Sequence, residues 1–316
     1  MNASSGLVFA VDLGGTHLRA ALVDSAGKIH TQLKRHTPKD DSPEVVVEAL
    51  ASVAEEWRRG DYGPITGASV MVPGAVDSGQ AVVLSAPNLP SLINYGLKKV
   101  LEERLGWPVV LENDANAAAM GEMWLGAARG CLHVVSVTLG TGVGGGIVLG
   151  GKVWRGAHGS AGEIGHTTVD PFSGLKCKCG NTGCLELFAS ATAIVRMARE
   201  SLAQFPQATL SAEGLTAEKV YDAGRQGDEL ALSVFKRAGK YLGIGLASLM
   251  SVLDPEIIVI NGGVVNGWDL FAPDMYQEVA ERAFQATAQQ VKIARAECGD
   301  NAGLLGAARL AFDEMA

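Results

Sequence analysis

Leu7-Val8-Phe9-Ala10-Val11 runs into Asp12-Leu13-Gly14-Gly15-Thr16, and the chain resumes as Leu18-Arg19-Ala20-Ala21-Leu22-Val23 before the turn Asp24-Ser25-Ala26-Gly27. An apolar run, a glycine turn, a second apolar run and another turn predict a β-hairpin that opens a sheet. Exposed N–H groups in such a glycine turn can hold a phosphate, and the carboxylate ahead of it can hold Mg²⁺ through water. A plain hairpin turn fits the same residues. The pattern returns further on. His133 to Leu139 reads as a strand, followed by Gly140-Thr141-Gly142-Val143-Gly144-Gly145-Gly146, the run Ile147-Val148-Leu149 and the turn Gly150-Gly151-Lys152-Val153. Residues 7–28 and 134–152 thus share one plan, which implies two related halves, each opening on a phosphate-type hairpin.

Two look-alike motifs drop out. Gly140-x-Gly142-x-x-Gly145 has the spacing of a dinucleotide fingerprint, but that motif must open a helix and here a strand follows. Gly146-x4-Gly151-Lys152 resembles a P-loop, but Val153 stands where Ser or Thr is required and Lys152 falls at a hairpin turn.

The remaining elements read as an alternation of helices and strands. Pro43–Arg59 carries apolar residues at helical spacing, and Ile65–Val72 is a strand that ends in the loop Pro73-Gly74-Ala75-Val76-Asp77. Ala86-Pro87-Asn88-Leu89-Pro90 is a further loop, Tyr95–Leu105 a helix and Pro108–Leu111 a buried strand. That strand leads to Glu112-Asn113-Asp114-Ala115-Asn116. Asp114, between strand end and helix start, reads either as the helix N-cap or as a general base at the carboxyl end of a strand, where open α/β sheets bind ligands. Later helices are read at Ser190–Gln204, Ala217–Arg225 (capped by Thr216), Asp228–Leu253, Phe271–Gln285 and Asn301–Met315. The apolar composition of Asp228–Leu253 predicts full burial. Strands are read at Pro255–Ile260, before the glycine turn Asn261-Gly262-Gly263-Val264, and at Val291–Ala294.

Between the second hairpin and these helices lies Gly162-Glu163-Ile164-Gly165-His166, then ten residues, then Cys177-Lys178-Cys179-Gly180-Asn181-Thr182-Gly183-Cys184-Leu185-Glu186. His166, Cys177, Cys179 and Cys184 make a complete tetrahedral Zn²⁺ shell, and four protein ligands leave no open position, so such a zinc is structural. A disulfide or three unrelated buried thiols are the alternatives, and Cys177 and Cys179 stand too close for an easy mutual bridge. Glu163 and Glu186 flank the ligands, so a bound ion would fix where both carboxylates point.

Composition bounds the function. With 316 residues, 47% of them hydrophobic, the chain is long enough for one large or two medium domains. A net charge of −8 argues against non-specific nucleic-acid or membrane binding. Met1–Gly6 shows no basic and apolar leader, and the apolar run Tyr241–Leu253 is too short to span a bilayer. An odd count of five cysteines, three of them clustered, fits a reducing, cytoplasmic setting. Cys131 and Cys298 read as core residues.

Taken together, these motifs resemble the ROK family (repressors, open reading frames, kinases) over almost the whole chain. The resemblance rests on Asp12–Thr16, Pro73-Gly74, Glu112–Asn116, Leu139–Gly146, Glu163–His166 and Cys177-x-Cys179-Gly180-x-x-Gly183-Cys184-x-Glu186, and within the family it is closest to bacterial ATP-dependent glucokinases. It implies the actin-like ATPase (ribonuclease H-like) α/β fold: a smaller α/β domain from 1–114 plus 301–316, and a larger one from 115–300 with the zinc loop, around a cleft. It also implies Asp114 as general base and sugar contacts from Gly74, Asn88, Asn113, Asp114, Glu163, His166 and Glu186. Gly14, Gly15, Thr16, Thr141 and Gly142 would hold phosphates, Asp12 would organise Mg²⁺ with ATP, and Gly262 and Gly263 would lie against the adenosine. Asn261 stands where many relatives have a third glycine.

The implied activity is an ATP-dependent hexose kinase acting on the 6-hydroxyl of glucose, as a homodimer or homotetramer. N-acetylmannosamine, N-acetylglucosamine and fructose kinases are alternatives, and polyphosphate is an alternative donor. A sugar-sensing repressor of the same family would carry an added helix-turn-helix domain, for which the start of the hairpin at Leu7 leaves no room. A zinc-ribbon interaction module would leave three glycine turns and Asp114 unexplained.

Overall fold

The structure, a computed structural model, describes residues 6–316 except 41, 78–81 and 87. The leader reading over Met1–Gly6 and the Pro87 position of the loop 86–90 therefore lie outside the described residues, apart from Gly6 and the loop's other members. The strands are β1 (Leu7–Leu13), β2 (His17–Val23), β3 (Ile29–His36), β4 (Ile65–Val72), β5 (Val76–Asp77), β6 (Val82–Val83), β7 (Val109–Asn113), β8 (Val134–Leu139), β9 (Val143–Leu149), β10 (Lys152–Val153), β11 (Ile257–Asn261) and β12 (Lys292–Arg295). The helices are α1 (Pro43–Arg58), α2 (Leu97–Leu105), α3 (Asp114–Leu125), α4 (Glu186–Ala189), α5 (Ala191–Ser201), α6 (Ala217–Arg225), α7 (Glu229–Leu253), α8 (Trp268–Arg282), α9 (Gln285–Ala288) and α10 (Ala302–Met315).

The chain forms two compact units, 1–132 with 146–162 and 296–316, and 133–145 with 163–295. The sequence-based division placed the boundary after residue 114. Here α3 and the segment 146–162 belong with the first unit, and the chain passes between units four times.

In the first unit five strands lie in the order β3-β2-β1-β4-β7. β1, β2 and β3 form an antiparallel meander, while β1, β4 and β7 run parallel. The parallel strands are almost continuously apolar because both faces are covered. Phe9, Val11, Leu50, Trp57 and Leu101 join one core with α1 and α2. On the other face α10 packs on β1, β4, β7 and α3. Small residues allow the close approach of α10 to α3: a Cβ on Gly306 would run into the carbonyl of Ala117, and one on Gly121 into that of Ala302. The last helix thus returns to the sheet that the first residues build.

In the second unit β11 pairs in parallel with β8 and β12. α7 crosses behind them, packing on α8, α5 and α4, and Phe235, Leu242, Leu246, Met250 and Phe271 fill this core. Caps follow the sequence signals: Ser190, Thr216 and Asp228 each accept an N–H from the residue three positions on. α7 departs from its expected full burial. Val252 is 79% exposed and Leu232 39%, because a helix laid on one face of a layer shows its outer stripe to water whatever its composition. Cys131 and Cys298 are half-buried rather than fully in the core. Among the described residues no helix is long and apolar enough to cross a membrane.

Candidate active site

In the first unit, the residues singled out by sequence collect at the carboxyl ends of parallel strands. β1 ends at Asp12-Leu13 and turns through Gly14-Gly15-Thr16, β4 leads to Gly74, and β7 ends at Asn113. The turn is closed by Gly14 N–H donating to the His17 carbonyl at 2.9 Å and by the Thr37 hydroxyl donating to the Gly14 carbonyl at 2.5 Å. Gly15 and Thr16 are exposed. A Cβ on Gly15 would meet the Cβ of Asn88 at 2.5 Å, so the loop bearing Asn88 lies on this turn. Asp12 faces Arg19 across the β1–β2 pair. Burial pushes the Asp12 carboxyl above its ordinary value, and the Arg19 charge opposes that shift. Arg19 also donates to the Asp300 carbonyl and to Asn301 Oδ1, at the start of α10.

Asp114 is not the N-cap. Asn113 is: its Oδ1 accepts from Ala115 N at 2.9 Å and Asn116 N at 3.0 Å. Its Nδ2 donates to the Gly74 carbonyl at 2.8 Å and to Asp114 Oδ1 at 3.1 Å. Two acceptor sites and two donor protons are the whole capacity of an amide, so Asn113 is fully engaged within the protein. Asp114, as the first helical residue, also accepts from Ala115 N at 2.8 Å. Its carboxylate thus sits at the positive end of α3, held by the residue before it. Asn113, expected among the sugar contacts, also caps the helix and braces Asp114.

In the second unit the pattern repeats. β8 ends in Gly140-Thr141-Gly142, closed by Gly140 N–H donating to the Gly142 carbonyl at 3.0 Å. β11 ends at Gly262-Gly263, and Gly262, at φ 93°, lies so close to the Leu139 carbonyl that no side chain fits. The two glycine turns of this unit are therefore neighbours. Asn261 is buried, donating to Ser136 Oγ at 2.9 Å, so its side chain points into the sheet. Strand geometry also disposes of the two look-alike motifs, since Gly145 lies within β9 and Lys152 begins β10.

Glu186 accepts from Val143 N at 3.0 Å, which ties its carboxylate to the Gly142 turn. The His166 ring is two-sided: Nδ1 lies 3.6 Å from Cys177 Sγ, and Nε2 lies 3.8 Å from Glu163 Oε2.

His166, Cys177, Cys179 and Cys184 present ligand atoms all within 4.8 Å of one another. Zinc bonds of about 2.3 Å to sulfur and about 2.0–2.1 Å to nitrogen, at tetrahedral angles, separate two sulfurs by about 3.8 Å and a sulfur from a nitrogen by about 3.6 Å. Cys179 and Cys184 sulfurs stand 3.7 Å apart and Cys177 Sγ stands 3.6 Å from His166 Nδ1, so these two pairs have the spacing of a zinc shell. Gly183, at φ 72° and against the Asp170 carbonyl, makes the tight return. Burial, together with the neighbouring sulfurs, pushes the Cys184 thiol up to about 12, while the Asn181 backbone N–H lowers Cys179.

The ROK family model matches residues 8–314. The chain belongs to the ROK family. It is 37% identical over 304 residues to a glucokinase of Halalkalibacterium halodurans, covering 94% of this chain and 92% of that one. A ROK family glucokinase from Streptomyces griseus, solved in complex with glucose and AMPPNP, superposes with a TM-score of 0.81 at 36% identity, covering 98% of this chain and all of that one, 100%. A ROK family transcriptional regulator, a homologue of the E. coli MLC protein, superposes with a TM-score of 0.88 at 30% identity over 98% of this chain and 78% of that one. The fold is the actin-like ATPase fold of ROK sugar kinases.

One feature of this ROK chain escaped sequence reading. A cavity of about 490 Å³ opens beside Thr141 in the second unit, lined by Thr192, Arg196, Arg199 and Leu215 among others. Thr192 Oγ1 donates to the Thr141 carbonyl at 2.7 Å. Its walls come from α5 and the approach to α6, whose helical periodicity was legible but whose facing sides were not.

Proposed function

We propose that the chain is an ATP-dependent hexose kinase of the glucokinase type, which transfers the γ-phosphoryl group to the 6-hydroxyl of glucose. The observation that carries this reading is the Asp114 corner: a carboxylate at the end of a parallel strand, braced by Asn113, in a chain with glucokinase relatives over nearly its full length. A sugar hydroxyl is a poor nucleophile, so phosphoryl transfer depends on in-line positioning and charge neutralisation. Asp114 accepts the hydroxyl proton as the bond to phosphorus forms. Gly74, Asn88, Asn113, Glu163, His166 and Glu186 are the proposed partners of the sugar hydroxyls, with Asn113 also bracing Asp114. N–H groups of Gly14–Thr16 and Thr141–Gly142 hold the phosphates, and the cavity beside Thr141, with Gly262 and Gly263, takes the adenosine.

Asp12 is suited to hold Mg²⁺ through water; when bound with ATP, the ion supplies charge neutralisation on the phosphates. His166, Cys177, Cys179 and Cys184 would hold a zinc ion with no open position, so its part would be structural, fixing His166 and through it the segment that bears Glu163. We further propose a cytoplasmic location and a homo-oligomeric state.

The test is sugar-dependent ADP release with Mg²⁺–ATP across glucose, N-acetylmannosamine, N-acetylglucosamine and fructose. Fastest turnover with glucose supports the reading, and another preferred hexose redirects it within the family. Glucose binding without ADP release favours the sugar-sensing role.

A further inference from the structure

Glu112, immediately before the Asn113–Asp114 pair, has a side chain only 2% exposed. Its Oε1 accepts from its neighbour's backbone, Asn113 N, at 2.9 Å and from Asn116 Nδ2 at 3.0 Å. Its Oε2 accepts from Arg155 Nε at 2.6 Å. A buried carboxylate is tolerated only when it is paired and hydrogen-bonded, and here the pairing cation comes from 43 residues away in the chain. The same Arg155 closes a second element, since its carbonyl accepts from Ala161 N at 3.0 Å. The loop so closed also packs on β5 within the same unit, where a Cβ on Gly159 would meet the Val76 carbonyl at 2.5 Å. Ala161 stands two residues ahead of Glu163.

We propose that Arg155, acting through Glu112, is a positioning residue that fixes the β7–α3 corner and with it the orientation of Asp114. This rests on the assignment of Asp114 as the base. The physical chain is short. Arg155 neutralises Glu112, Glu112 holds the Asn113 backbone and the Asn116 side chain, and Asn113 braces Asp114. Without the guanidinium, the Glu112 carboxylate is a buried anion lacking its cation, and it relieves that state by turning towards water or taking a proton. Turning towards water releases the bonds to Asn113 N and Asn116 Nδ2, and a proton on Oε2 leaves Oε1 a neutral, weaker acceptor for both. A misplacement on the order of 1 Å costs about 10²-fold in an oriented reaction.

The experiment compares Arg155→Met, Glu112→Gln and the double variant, reading kcat, the KM of sugar and of ATP, and amide hydrogen exchange at Asn113, Ala115 and Asn116. Arg155→Met is expected to lower kcat by about 10–100-fold with the ATP KM within about twofold, and to speed exchange at those three amides. The double variant removes the stranded charge and is expected to recover most of both losses. The proposal is overturned if Arg155→Met keeps kcat within about threefold, if exchange at the corner is unchanged, or if the double variant is no better than Arg155→Met. Should Arg155→Met not fold, Arg155→Lys keeps the charge without the planar geometry; it is expected to lose at least about fivefold in kcat, and parity with wild type overturns the proposal. A wild-type protein that phosphorylates no hexose refutes the kinase reading instead, and the exchange comparison still decides the bracing.

Discussion

Asp114→Asn separates chemistry from architecture at the corner where β7 meets α3. The replacement keeps an Oδ1 in place to accept from Ala115 N, now at 2.8 Å, and the helix cap is untouched because it belongs to Asn113. Two costs remain on the stability side. The bond from Asn113 Nδ2 becomes neutral, and a negative charge is lost from the first turn of α3, together worth about 1 kcal/mol. For a chain of this size that lowers Tm by no more than about 2–4 °C. On the catalytic side the amide cannot take a proton, and loss of a general base costs about 10²–10⁴-fold. At about 1.36 kcal/mol per tenfold this is about 2.7–5.4 kcal/mol of barrier. The catalytic loss therefore exceeds the structural one several-fold. Coupled ADP-release kinetics, calorimetric glucose binding and a thermal melt on the same preparation measure all three quantities. A kcat within tenfold of wild type, with sugar binding and Tm intact, would reduce Asp114 to the first residue of a helix.

Three further outcomes test other parts of the molecule. Cys184→Ser, or removal of metal by a chelator, is expected to lower zinc from about one ion per chain and to raise the sugar KM while the ATP KM holds; normal sugar binding in a zinc-free protein refutes the metal reading. Gly306→Ala places a Cβ against the Ala117 carbonyl, and overpacking of that kind costs about 1–3 kcal/mol; denaturant melts showing no loss would mean that α3 and α10 part easily. Asp228 accepts from Ala231 N, Thr209 N and Thr209 Oγ1 at 3.0, 2.7 and 2.9 Å. Although burial raises its carboxyl, these bonds hold it below the ordinary value. Its stabilisation is thus complete above the unfolded value near ~3.9 and lost as pH falls through the lower folded one. Wild type should accordingly outlast Asp228→Ala in thermal melts at pH 7 by about 1–2 kcal/mol, and the gap should close on acidification; a gap independent of pH refutes the assignment.

The sequence by itself determined what short range encodes. Strand–glycine–strand patterns placed both hairpins, because a glycine turn between apolar runs has few other solutions. Periodicity placed α1, α5, α6 and α7, and the Cys177–Cys184 spacing with His166 pointed to the four side chains that the fold gathers. Choices between chemically equivalent neighbours, and contacts between distant segments, belonged to the tertiary structure. Asn113 and Asp114 have nearly equal capping preference, and which of them caps shows only in the folded chain, where Asn113 Oδ1 takes the α3 N–H groups and its Nδ2 meets the Gly74 carbonyl, 39 residues earlier in the chain. The Glu112–Arg155 pair and the cavity beside Thr141 arise where segments far apart in sequence meet, and no local pattern records such a meeting. The exposed stripe of α7 follows the same logic: composition states how apolar a helix is, but which of its faces finds a partner depends on what the rest of the chain lays against it.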